Sequence, residues 1–98
     1  MLVRIIKSHR DIVAICDSDL IGKKFEEGNL QLDIKESFFS GKKMNEEEVM
    51  DVIIKMSQED ATFNVIGKES IDTAIKIGLI EEGEVKTIQG IPFVLILL

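Results

Sequence analysis

The last eight residues, Ile91 to Leu98, read IPFVLILL and carry no charge. A helix needs about 20 apolar residues to cross a bilayer, so this run is too short to be a membrane span. A run of this length rich in β-branched residues reads as a strand. Strands apolar at every position are usually buried on both faces, so this one is expected inside a sheet or in an interface between copies of the chain. Val94 and Ile96 are expected to be buried. Pro92 is expected near the strand start, where its missing N–H does least harm.

The rest of the chain supplies the partners of that strand. Leu2 to Lys7 and Asp11 to Cys16 are short β-branched runs around the polar turn Ser8-His9-Arg10, a hairpin signal. Leu20 to Glu27 reads as a short helix capped by Asp17 or Ser18, with Ile21 and Phe25 on one face and Gly28 just past its end. Leu30, Leu32 and Ile34 alternate with polar residues, which predicts a strand with one dry face. Glu36 to Lys43 reads as a loop around Phe38-Phe39.

Asn45 opens the best-marked helix. Glu48 stands three residues on, as in a capping box, and Val49, Val52, Ile53 and Met56 form one apolar stripe to about Ser57. Thr62 to Ile66 is a strand, Gly67 a turn, and Ile71, Ala74, Ile75 and Leu79 mark a second helix ending near Gly78. Val85 to Ile88 and the Ile91 run, joined at Gly90, complete the order β-β-(α)-β-α-β-α-β-β. This predicts an α/β or α+β fold over residues 1–98 as one domain, with a mixed sheet of five to six strands and two to three helices.

Bulk properties narrow the function classes. Cys16 is the only cysteine, so neither an intrachain disulfide nor a multi-cysteine zinc site is expected. The N-terminus has no signal-peptide pattern, which makes the cytoplasm the expected location. Trp and Tyr are absent, which argues against an aromatic platform for single-stranded nucleic acid. The net charge of −6 is uneven. Residues 1–43 hold eight Lys/Arg against seven Asp/Glu, a balance of +1, and residues 44–98 hold four against eleven, a balance of −7. Any nucleic-acid face is therefore expected in the first half, where Lys23-Lys24 and Lys42-Lys43 lie.

Few residues offer chemistry. His9 reads as a solvent-exposed turn residue and Cys16 as a small core residue, since Asp17 and Asp19 disfavour a thiolate. Asp17 and Asp19 at a strand end, with Lys23 nearby, either cap the following turn or hold a cation. The best candidate runs from Asn64 through Gly67, Lys68 and Ser70, from strand through glycine turn to helix start. There, backbone N–H groups can hold an anion. It is not a Walker A loop: Thr62 stands where the first glycine belongs, and Glu69 follows Lys68. The binding candidates are thus Asp17, Asp19, Lys23, Asn64, Gly67, Lys68 and Ser70. No catalytic residue, metal site or cofactor is expected.

Several segments together resemble one family. They are Cys16-Asp17 with Leu20, Gly22-Lys23, Phe25 and Glu27-Gly28; Leu30, Leu32, Phe38-Phe39 and Gly41; Asn64 to Ser70; and Ala74, Gly78 and Gly90-Ile91-Pro92. Over nearly its whole length the chain is similar to the archaeal family of small proteins catalogued as domain of unknown function number four-two-four. The resemblance implies an archaeal cytosolic α/β protein in the company of the translation machinery, with no established activity. The family often places His after the late proline. Here that residue is Phe93, so a role built on such a His is not expected.

The reading that follows is a non-catalytic cytosolic binding or adaptor domain whose partner is an RNA or a protein, with self-association through residues 91–98 as a further expectation. The alternative is a small enzyme or an anion- or cation-binding protein with a cleft formed by residues 17–23 and 64–70.

Overall fold

The computed structural model describes residues 1–97. It is an α+β fold built on a six-stranded mixed sheet. In chain order, β1 is Leu2–Ile6, β2 is Ile12–Cys16, β3 is Lys24–Glu27 and β4 is Leu30–Asp33. They are followed by the one-turn helix α1 (Glu36–Phe39) and the two-residue strand β5 (Lys42–Lys43). Then come α2 (Glu46–Gln58), β6 (Thr62–Ile66), α3 (Lys68–Lys76), β7 (Lys86–Ile88) and β8 (Ile91–Leu97). The sheet order is β5-β1-β2-β6-β8-β7, with β2 and β6 parallel at its centre. Strands β3 and β4 form a separate hairpin.

The α2 start matches its sequence. Asn45 accepts from the Glu48 N–H at 2.9 Å, and the Glu48 carboxylate accepts from the Asn45 N–H at 3.1 Å. Both longer helices close in the same way. After α2, the N–H groups of Asp60 and Ala61 turn back to the carbonyls of Ser57 and Met56. After α3, those of Gly78 and Leu79 turn back to Ile75 and Ala74. These are Schellman motifs, which satisfy carbonyls that would otherwise be orphaned.

Strand alternation sorts side chains onto two faces. On the helix face, Val3, Val13, Ile15, Phe63 and Val65 pack with Val49, Ile53 and Met56 of α2 and Ile71 and Ala74 of α3. On the opposite face, Ala14, Cys16, Ile66 and Ile88 pack beneath Leu20, Leu32, Ile34 and Phe39. This second cover comes from the β3–β4 hairpin and α1. The hairpin is latched to the β7–β8 turn: the Gln89 N–H donates to Glu27 Oε1 at 2.8 Å, and the Gln89 side-chain amide to the Glu26 carbonyl.

Three sequence expectations are corrected. Leu20 to Glu27 is not a helix. One 3-10 turn spans Ser18–Leu20, and the chain then enters β3, with Gly28 and Asn29 as the turn of a two-residue hairpin. Glu36 to Lys43 is not a plain loop, since it contains α1 and β5. The last strand is not buried on both faces. Val94 and Ile96 are only half-buried against the helix-face core, while Leu95 and Leu97 are 57% and 70% exposed. Leu98, the end of the predicted run, lies outside the described residues.

Candidate functional site

The parallel strands β2 and β6 end side by side, and the Asp17 N–H donates to the Ile66 carbonyl at 3.0 Å as the last rung of their ladder. Gly67 follows β6 with φ 110° and ψ 155°, a conformation open to glycine and strained for residues with a Cβ. It turns the chain into α3 and acts as its N-cap. A glycine cap has no side chain to serve the free N–H groups of the first turn.

Asp17 serves them instead, from fifty residues away in the chain. Its Oδ2 accepts from the Glu69 N–H at 3.1 Å. Its Oδ1 accepts from the Ser70 N–H at 2.8 Å and the Ser70 hydroxyl at 2.7 Å. These are the N–H groups that an N-cap side chain would normally engage. Ser70 is 1% exposed, so its hydroxyl has been withdrawn from water and is satisfied by this carboxylate. A carboxylate is also the charge that the positive end of a helix favours. The glycine has a second cause here: a Cβ on Gly67 would overlap the Asp17 carboxylate.

The structure therefore brings together three of the sequence candidates, Asp17, Gly67 and Ser70, and does so by filling the anion position from within. Lys68 is exposed on the first turn of α3, and Asp19 and Lys23 are exposed beyond the 3-10 turn. Asn64 is not part of this cluster. Its neighbours Phe63 and Val65 belong to the helix-face core, so Asn64 lies on the opposite face of the sheet. Among the described residues, no group of three His, Cys, Asp or Glu side chains stands close enough to hold a metal ion.

Cys16, immediately before Asp17, is fully buried. Burial, then the charge of Asp17, pushes its thiol pKa up to about 11. The native thiol is therefore expected to resist alkylation at pH 8 and to react fast once the chain is unfolded. The unfolded thiol loses its proton first, so stability is expected to fall as pH rises from about 8.5 towards 11. Equal alkylation rates for native and unfolded protein would contradict this.

A second feature escaped the sequence reading. The register sets Ile6, Ile12, Thr62 and Leu97 in one row across β1, β2, β6 and β8, on the face opposite the helices. The next row holds Arg4, Ala14, Asn64 and Leu95. The hairpin and α1 cover the other end of this face, and Arg4 donates to the Ser37 carbonyl of α1 at 2.7 Å. Ile6, Ile12, Leu95 and Leu97 lie outside both hydrophobic cores. The sequence signal is that β2 and β8 are apolar on both faces, which does not say which face lacks cover.

The chain belongs to the family described as "Protein of unknown function (DUF424)", whose model matches residues 6–98. A crystal structure of an uncharacterized conserved protein from Methanopyrus kandleri is 28% identical and superposes with a TM-score of 0.87. That match covers 97% of this chain and 88% of the other. No curated protein matches the chain. Phe93 is half-buried against the core on the hairpin side. Among the described residues, no helix is long and apolar enough to cross a membrane.

Proposed function

We propose that this protein is a non-catalytic binding or adaptor domain of the cytoplasm and that it engages a protein partner through the uncovered half of its sheet. The observation that carries this reading is the row of Ile6, Ile12 and Leu97 with Leu95 beside it, apolar side chains on one face that neither core absorbs. Uncovered apolar side chains gathered on one face, with polar residues among them, mark interaction sites. Thr62, Asn64 and Arg4 within and beside it supply polar groups for orientation.

Two observations favour a protein over RNA. Lys7 is engaged by Asp11 at 3.1 Å and Lys24 by Glu26 at 3.7 Å, while Lys42 and Lys43 sit apart on the sheet edge. A phosphate backbone is better served by clustered cations. The alternative cleft between residues 17–23 and 64–70 is disfavoured because Asp17 is committed to α3 and Asn64 faces away.

Affinity capture from the native cell tests the reading. Wild type and Lys68→Ala are expected to retain the same protein partner, resistant to nuclease, and Ile12→Lys to lose it. Retention by Ile12→Lys, or loss of the partner on nuclease treatment, contradicts the proposal.

A further inference from the structure

Strand β8 is longer than the strand that flanks it. Its seven residues pair with β6 along one side, but β7 reaches only Ile91, Pro92 and Phe93 on the other. A hollow of about 380 Å³ lined by Glu84, Lys86, Phe93, Val94 and Leu95 marks where β7 ends.

The direction of each backbone group follows from one hydrogen bond. The Gly67 N–H donates to the Pro92 carbonyl at 2.8 Å, so Pro92 turns its main chain towards β6. Antiparallel strands alternate in this respect, so Val94 and Ile96 also face β6, whereas Ile91, Phe93, Leu95 and Leu97 face outward. The outward groups of Ile91 and Phe93 meet β7. Those of Leu95 and Leu97 meet no strand, and the two side chains are also exposed. The same alternation explains Pro92. Its missing N–H would face the Gly67 carbonyl, which instead accepts from the Ile71 N–H of α3 at 2.9 Å.

We infer that this open edge is the interface for a second copy of the chain, with the two β8 strands pairing antiparallel about a twofold axis at Ile96. The pairing sets Leu95 opposite Leu97 of the second copy, and Leu97 opposite its Leu95. Each of these two pairs exchanges two backbone hydrogen bonds. The contact is self-complementary because Val94 to Leu97 carry no charge and the two charged residues of the hollow beside them, Glu84 and Lys86, are of opposite sign. Two acidic chains thus meet over an edge with no net charge of its own.

The remaining edges of the sheet offer less to a second strand. The opposite edge is β5, only two residues long and both lysine, a pattern that blocks strand addition. At the other edge β7 is three residues long and lies in contact with β3 and β4. The outer side of β1 beyond β5, Arg4 to Ile6, also lacks a strand partner, but it is shorter than the open part of β8. This inference shares Leu95 and Leu97 with the sheet-face reading, but it uses the backbone edge of β8 and does not need Ile6 or Ile12.

Sedimentation equilibrium over a concentration series tests it. Wild type is expected to approach twice the chain mass of 11.0 kDa. Leu95→Lys is expected to stay at the single-chain mass with an unchanged circular dichroism spectrum, since it places a charge beside the twofold axis of the contact. Leu95→Pro removes an outward-facing N–H without taking a hydrogen bond from β6, and is expected to do the same. Ile12→Lys is expected to remain dimeric, which separates this test from the partner-capture test. A wild type that stays at 11.0 kDa throughout, or a dimer that persists in Leu95→Lys, overturns the inference.

Discussion

Asp17→Ala is expected to lower the free energy of unfolding by about 2–4 kcal/mol, measured by urea denaturation. Loss of a helix cap alone costs about 0.5–2 kcal/mol. Here the Ser70 hydroxyl adds to the loss, because it is buried and leaving such a group without a partner costs about 1–3 kcal/mol. Asp17→Asn keeps one acceptor oxygen and is expected to lose less. The neighbouring Ser18 is the control. Its hydroxyl is buried without a hydrogen-bond partner, so Ser18→Ala is expected to be neutral or mildly stabilising. An Asp17→Ala loss below about 0.5 kcal/mol would place the residue among ordinary surface positions.

Gly67→Ala is expected to cost about 3–5 kcal/mol, from backbone strain at φ 110° together with overlap of the new methyl with Asp17. Small domains have about 5–15 kcal/mol in total, so this variant is expected to melt far below wild type. The two sites are in contact and their effects should not add. Asp17→Ala removes the carboxylate that the methyl strikes, so the double variant is expected to lose at least about 1 kcal/mol less than the sum of the single losses. Strict additivity would show that the overlap has no energetic weight.

Legibility in the sequence follows the range of the interaction. The α2 cap was readable because Asn45 and Glu48 are three residues apart, and Gly78 marked the end of α3 in the same local way. The β3–β4 hairpin carries two competing local signals. Gly28-Asn29 is a two-residue hairpin turn, but Ile21 and Phe25 at i, i+4 suggested a helix. Those two side chains do share a core, the one beneath the hairpin, reached by turns rather than by one helix face. Asp17 illustrates the opposite limit. Its sequence suggested a cap for the turn beside it, whereas the helix it caps begins fifty-one residues later. Strand β8 shows a further limit. An apolar run reveals that a strand can be buried on both faces, not whether the chain has enough elements to cover them. Here one hairpin and a one-turn helix cover only part of the second face.

The central claim is that the strand–turn–helix joint of β6 and α3 is closed from within by Asp17 and that binding is left to the open sheet. The direct measurement is a titration of inorganic phosphate into labelled protein, following the backbone amide signals of Glu69 and Ser70. In wild type these signals are expected to stay in place, because the carboxylate already holds both N–H groups. In Asp17→Ala they are expected to shift, and the melting temperature to rise with phosphate as the anion takes the vacated position. Wild-type signals that shift as far as those of the variant would show that the joint is open to ligands and would contradict the account.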